Sequence, residues 1–285
     1  MSYSSSNHQE LSELLIFWKL IMNSQFDLNR YRAKLKTRWL GADFVYEPEL
    51  KSTNTYLKKM DSSGFDHGTV LLTDHQTQGR GQYERSWESQ RGKNLTFTVA
   101  FKPSSGDRLP LLTLTFAFGI VRALKRLDIE NVRIKWPNDI LINGKKVGGL
   151  LTETVFLGQK PDRVLIGIGL NVNQETFGNE LNYEATSVKL EKGKEVRRED
   201  LLCSLLQEFE HQYTRWTRRE SDLCKDVNST IEGFGQWVTA SMNGTVKEGE
   251  FKFLGMNEKA ECVMLNKELD VKTFSYEQIR IFPRR

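Results

Sequence analysis

Long apolar runs are missing from this chain of 285 residues. Nothing approaches the roughly 20 consecutive apolar residues that a bilayer span requires, which excludes a helical membrane protein. With 38% hydrophobic and 27% charged residues, the composition is that of a soluble globular protein. Cysteine is scarce: Cys203, Cys224 and Cys262 are far apart and form no CxxC pair. That spacing argues against a disulfide framework and a structural zinc site, and predicts reduced, partly buried thiols. The four histidines, His8, His67, His75 and His211, are scattered, and no nucleophilic serine motif accompanies them. Metal-centred hydrolysis and Ser–His catalysis are thereby set aside, and no protein-held metal is expected. An excess of one charge is lacking too. The 41 basic and 37 acidic side chains leave +4, too little to mark a nucleic-acid binder, though it suits an acidic protein partner or a phosphorylated ligand. The polar stretch Met1 to Glu10 has no basic-then-apolar leader pattern, so a cytoplasmic protein is expected. Repeats and low-complexity segments are absent, and the charged stretch Glu191 to Asp200 reads as a solvated loop and helix start.

Periodicity supplies the outline. From Glu10 to Leu40, Leu11, Leu14, Leu15, Trp18, Ile21, Leu28, Tyr31 and Leu35 recur at helical spacing, predicting one or two amphipathic helices. Ser52 is placed to N-cap a short helix over Thr53 to Met60, followed by a strand at Thr69–Thr73. Further strands are predicted at Asn94 to Phe101, Val132 to Trp136, Ile140 to Ile142, Lys146 to Val155 and Arg163 to Asn173, with helices at Leu109 to Leu127 and Glu199 to Arg218. Asn143-Gly144 is a tight-hairpin signal, because both residues tolerate positive φ, so the sheet is at least partly antiparallel. Short β-like runs from Gln236 to Phe282, with turns at Asn243-Gly244 and Asn266-Lys267, predict a small β-barrel. The organisation expected is an N-terminal helical extension (1–45), a catalytic domain (46–233) and a C-terminal β-barrel domain (234–285).

Four segments carry potential chemistry. Gln78-Gly79-Arg80-Gly81 follows a strand, and two glycines around an arginine let backbone and guanidinium approach an anion together; taken alone, an ordinary tight turn explains it as readily. In Lys135-Trp136-Pro137-Asn138-Asp139, proline ends a strand and sets an amide beside a carboxylate, with a strand end and polar turn as the plain alternative. Asn138 offers the donor–acceptor edge that reads adenine. The hairpin at Asn143-Gly144 delivers Lys146 into a strand running through Gly148-Gly149, where paired glycines mark a bulge or a close ligand; Lys146 is the best candidate for a catalytic cation. Finally, Ile166 to Asn173 is an apolar strand opened by Gly167 and Gly169 and ending in Asn171 and Asn173, two residues apart and hence on one face.

In this order, Ser52-Thr53-Asn54, Gln76 to Trp87, Lys135 to Asp139, Lys146 to Leu151 and Ile166 to Asn173 closely resemble the biotin protein ligase family, in its monofunctional form. The resemblance covers about Leu50 to Asn173. It implies an α/β (α+β) fold: a central mixed β-sheet with flanking helices, like class II aminoacyl-tRNA synthetases and lipoate ligases, plus the small C-terminal β-barrel. It also implies ATP-dependent formation of biotinyl-5′-AMP and transfer of biotin to a lysine of a biotin carboxyl carrier protein, of acetyl-CoA carboxylase or another carboxylase. Biotin, ATP and Mg2+ are then the small-molecule requirements. By the same resemblance Arg80, Lys146 and Asp139 are catalytic, the first two at the carboxylate and α-phosphate and Asp139 orienting or deprotonating the incoming amine. Ser52, Thr53, Asn54, Gln76, Gly79, Arg80, Lys146, Gly149 and Gly169 would form the biotin pocket. Gly81, Arg85, Trp87, Asn138 and Asn171 would contact ATP or the adenylate.

The loop departs from the family pattern, with Gln82-Tyr83-Glu84-Arg85 where Arg-Arg-Gly-Arg is common. A missing glycine restricts the backbone, and Glu84 beside a polyanion is unfavourable unless Arg85 pairs with it, which predicts altered retention of the adenylate. A lipoate or octanoate ligase shares the fold, but the Gly-Arg-Gly loop and the Lys-Trp-Pro-Asn-Asp segment favour biotin. A biotinyl-AMP-responsive transcriptional regulator would need a DNA-binding module, and the segment before Ser52, shorter still if Met22 is the start, shows no recognition helix; no DNA partner is expected. A silent carrier-binding scaffold is disfavoured by Arg80, Lys146 and Asp139. Monomer and homodimer both stay open. Arg80→Ala is expected to abolish biotin-dependent pyrophosphate exchange, full exchange would remove its assigned role, and Gln82→Arg in the same assay measures the weight of the loop's departure.

Overall fold

The computed structural model describes residues 25–82, 85–103, 108–178, 184–242, 245–275 and 278–283. The expected helical positions from Leu11 to Ile21, the alternative start Met22, Glu84 and the turn Asn243-Gly244 lie outside the described residues.

Seven strands build the main sheet: β1 (Phe44–Leu50), β2 (Thr69–Gln76), β3 (Leu95–Phe101), β4 (Val132–Lys135), β5 (Asp139–Ile142), β6 (Lys145–Leu157) and β7 (Lys160–Leu170). Their spatial order is β1-β2-β3-β7-β6-β5-β4. β1 and β2 run parallel and the other pairs antiparallel, so the sheet is mixed, as expected. Asn143 and Gly144 both adopt positive φ between β5 and β6, the conformation that their hairpin turn requires. β1 was not foreseen. Its Pro48 and flanking glutamates hide the alternation, and its place at the sheet edge is where a strand tolerates proline. β7 stops at Leu170, so Asn171 and Asn173 lie past the strand rather than on one of its faces.

Helix α1 (Leu28–Lys34) and the short α2 (Thr53–Lys59) precede the long α3 (Leu109–Lys125), followed by α4 (Val188–Lys192), α5 (Arg198–Thr217) and α6 (Leu223–Thr230). α3 is buried along most of its length, and α5 packs against it. Phe116 and Phe209 stack at the interface, their centroids 4.4 Å apart. Phe101 and Tyr213 stack at 4.9 Å, joining sheet and helix layers in one core. Glu208, on α5 and 1% exposed, is compensated by Arg122, whose Nε donates at 2.9 Å, and by Arg126. Where β2 ends, the buried Asp74 accepts from Arg198 Nη1 at 2.6 Å and from the Tyr46 hydroxyl. This fixes the start of the loop that follows.

The expected C-terminal β-barrel takes the form of a five-stranded antiparallel sheet of β8 (Trp237–Met242), β9 (Thr245–Met256), β10 (Cys262–Asn266), β11 (Val271–Phe274) and β12 (Ile279–Pro283). The order is β11-β10-β9-β8-β12. The three cysteines are unpaired, and burial pushes the Cys203 and Cys262 thiols up to about 12, which keeps them unreactive at neutral pH. Among the described residues no helix is long and apolar enough to cross a membrane. Phe209→Ala empties the contact with Phe116 and is expected to cost about 3–5 kcal/mol, read as a lower denaturation midpoint with an unchanged slope.

Candidate active site

The site lies at one face of the sheet, where β6 and β7 present glycines to each other. Gly149 pairs with Gly169, and Leu151 with Gly167. Side chains on the same strand face alternate, so this register bares a strip of backbone. Two side chains occupy the space thus left. A methyl at 169 would overlap the Trp87 indole, and one at 167 would run into the Asn54 carboxamide. Glycine at these positions therefore lets Trp87 and Asn54 lie against the sheet.

The cavity above this strip has a volume of about 540 Å3. Ser52, Thr53 and Asn54 reach it from the start of α2, whose first turn Ser52 caps by accepting from Thr55 N. Gln76 contributes from the end of β2. Gln76 Oε1 accepts from Thr53 N at 2.8 Å and from Thr53 Oγ1 at 3.2 Å. The Thr98 hydroxyl sits 2.7 Å from Thr53 Oγ1 and donates to Asn54 Oδ1 at 2.6 Å. Asn54 Nδ2 in turn donates to Leu151 O and, at 3.0 Å, to Glu153 Oε2. The floor is thus a continuous polar chain, the arrangement that orients a small ligand.

The loop after Gln76 folds back as a narrow hairpin. Trp87 N donates to Gly79 O, Gly81 N donates to Arg85 O, and Arg80 bridges Ser86. Gly79 is needed for this closure, since the Trp87 carbonyl fills the space of a side chain there; Gly79 itself does not line the cavity. Arg80, Gly81, Gln82, Arg85 and Trp87 do.

Beside Gly149, Lys146 Nζ and Asp139 Oδ1 form a 2.6 Å ion pair, with side chains 16% and 24% exposed. Trp87 lies 5.9 Å from the same ammonium, ring centroid to Nζ. Gly149 keeps the space beside the pair open, because a Cβ there would stand 3.3 Å from Asp139 Oδ1 and 3.6 Å from Lys146 Nζ. Asn138 lines the cavity while its Nδ2 donates to Leu150 O at 2.8 Å, so its amide is used to seat the Trp136–Asp139 turn on β6.

Asn171, expected beside the adenylate, stands apart. It is 5% exposed, does not line the cavity, and donates through Nδ2 to Thr186 O at 3.1 Å while its backbone joins Val147 and Val188. Its place is structural: it ties the end of β7 to the segment before α4. The other expected residues, Ser52, Thr53, Asn54, Gln76, Arg80, Gly81, Arg85, Trp87, Asn138, Asp139, Lys146, Gly149 and Gly169, converge on one cavity. Sequence reasoning missed Thr96, Glu153 and the Arg280-Ile281-Phe282 wall. A lone glutamate within the apolar run of β6 was the available signal for Glu153; nothing local marks β12.

Residues 46–171 match the model of the Biotin/lipoate A/B protein ligase family. The bifunctional ligase/repressor BirA of Bacillus subtilis is 31% identical over 249 residues, 86% of this chain and 76% of that protein. The chain belongs to the biotin protein ligase family. The biotin--[acetyl-CoA-carboxylase] ligase of Mycobacterium tuberculosis is 30% identical over 213 residues, 72% of this chain and 76% of its own length. The biotin protein ligase from Aquifex aeolicus, solved in complex with biotin and ATP, superposes with a TM-score of 0.73 at 26% identity, covering 85% of this chain and all of that one. The cavity of this biotin protein ligase thus holds the polar floor together with the Lys146–Asp139 pair and the Trp87 indole. Gly169→Ala is expected to displace Trp87, raising the dissociation constant for the nucleotide by about tenfold or more and shifting tryptophan emission; an unchanged emission spectrum would show that the ring does not depend on this glycine.

Proposed function

We propose that this biotin protein ligase activates biotin with MgATP and transfers it to a lysine of a biotin carboxyl carrier protein, that of acetyl-CoA carboxylase or of another biotin-dependent carboxylase. One observation carries the reading: a single cavity joins the Ser52–Thr53–Gln76 hydrogen-bonding floor to the Lys146–Asp139 pair beside Trp87. The floor suits the polar head of biotin, and its tail then points its carboxylate toward Lys146.

In the first step a biotin carboxylate oxygen attacks the α-phosphorus of ATP, and pyrophosphate leaves with its electron pair. Negative charge spreads over the phosphoryl oxygens as the reaction proceeds, and fixed cations lower that barrier. Lys146 is held for this task by Asp139, and Arg80 is brought to it from the loop; neither exchanges a proton. Mg2+ arrives with the nucleotide. Trp87 offers a flat face for the adenine, and Asn138 and Arg85 lie within the same cavity. In the second step the carrier lysine amine attacks the carbonyl carbon of the mixed anhydride and AMP leaves. The attacking amine must be neutral, and Asp139 is the carboxylate positioned to orient it and take its proton. The ion pair thus combines the cation of the first step with the base of the second.

Incubation with ATP, Mg2+, biotin and an apo carrier domain, followed by intact-mass measurement, is expected to add one biotinyl group to the carrier. Parallel reactions with lipoate and octanoate should leave it unmodified. Transfer of either fatty acid in preference to biotin would overturn the assignment.

A further inference from the structure

Arg80 and Lys146 are assigned to the same anionic centre, yet they are held apart. Lys146 rests on Asp139, whereas Arg80 Nη2 donates to Glu153 Oε2 at 2.7 Å. Glu153 follows Gly149 by four residues along β6, on the same strand face, a distance of about 13 Å at ~3.3 Å per residue. The arginine is therefore parked at the far end of the strip from the lysine.

Glu153 is built to receive it. Its side chain is only 18% exposed, so its carboxylate has lost much of its water and requires partners. Asn54 Nδ2 donates to the same Oε2 at 3.0 Å, and Lys58 Nζ approaches Oε1 at 3.4 Å. Asn54 belongs to the floor chain, which registers the parked guanidinium to the biotin end of the cavity. Lys58 has a different use: when Arg80 departs, Lys58 and Asn54 stay, so the carboxylate is never stranded. Arg80 is 43% exposed, and a pair so open to solvent is weak enough to yield to an oriented anion.

We propose that Glu153 is a positioning residue that holds Arg80, and that the substrate carboxylate takes the guanidinium from it by exchange of one anion for another. This rests on the role assigned to Arg80 above. Glu153 therefore competes with the substrate anion, and its charge sets how readily the loop engages. Lys58 favours the exchange, since it neutralises the carboxylate that Arg80 leaves.

Titration calorimetry on the full chain tests this with two probes, biotin and biotinamide, whose uncharged amide offers Arg80 no anion. Glu153→Gln preserves the acceptor for Asn54 and removes only the charge. It is expected to bind biotin about three- to tenfold more tightly and biotinamide as the unaltered chain does. Lys58→Ala is expected to weaken biotin binding in the opposite sense. In the Arg80→Ala background Glu153→Gln should have no effect, because the competition then has no subject; a purely structural glutamate would act alike in both backgrounds. Equal or weaker biotin binding by Glu153→Gln, or a gain that persists without Arg80, would overturn the proposal alone. Failure of the unaltered chain to bind biotin would overturn the ligase reading and this proposal with it.

Discussion

The glycine register between β6 and β7 is the constraint on which the site depends. Pairing Gly149 with Gly169 and setting Gly167 opposite Leu151 removes side chains from adjacent positions on one face of a continuous sheet. Backbone hydrogen bonding is kept while volume is given up. Into that volume come groups from remote parts of the chain: Asn54 from α2, Trp87 from the loop and Lys146 from the strand itself. A slip of one residue would turn every alternate side chain to the other face and fill the cavity with Ile166, Ile168 and Leu150, which now belong to the core on the other side. The apolar residues between the glycines therefore do more than fill space, since their burial fixes which backbone positions stay bare.

The layered architecture was largely legible in the sequence because its signals are local. Apolar spacing marked α3 and α5, and Asn143-Gly144 marked the β5–β6 hairpin. β1 escaped because Pro48 and its glutamates suit an edge and imitate a loop. The convergence of Ser52, Gln76, Arg80, Asp139 and Lys146 followed from motif order, whereas the state of each side chain did not. That Arg80 pairs with Glu153, or that Asn171 turns into the protein to hold Thr186, depends on neighbours more than ten residues distant, and no local pattern encodes them. The same holds for Gly169, while Gly79 meets a residue only eight positions on. In the sequence both suggest close approach of a ligand, and in the structure the room is taken by the Trp87 carbonyl and indole respectively.

Electrostatics at the site follow a common plan. The two cations assigned to the reaction each have a resting carboxylate: Lys146 has Asp139 and Arg80 has Glu153. In both pairs the carboxylate is better buried than an isolated charge would tolerate, and the cation supplies the compensation. An incoming polyanion meets Lys146 already ordered, with its side-chain entropy spent during folding rather than during binding. The two pairs differ in exposure, and the more open one is on the loop.

The wall formed by Arg280, Ile281 and Phe282 makes the cavity depend on both sheets at once. Every other group lining the cavity comes from between Ser52 and Gly169, whereas this wall lies on β12, which pairs with β8 of the small sheet. Damage to the small sheet is therefore damage to the cavity, even where the main sheet is left untouched.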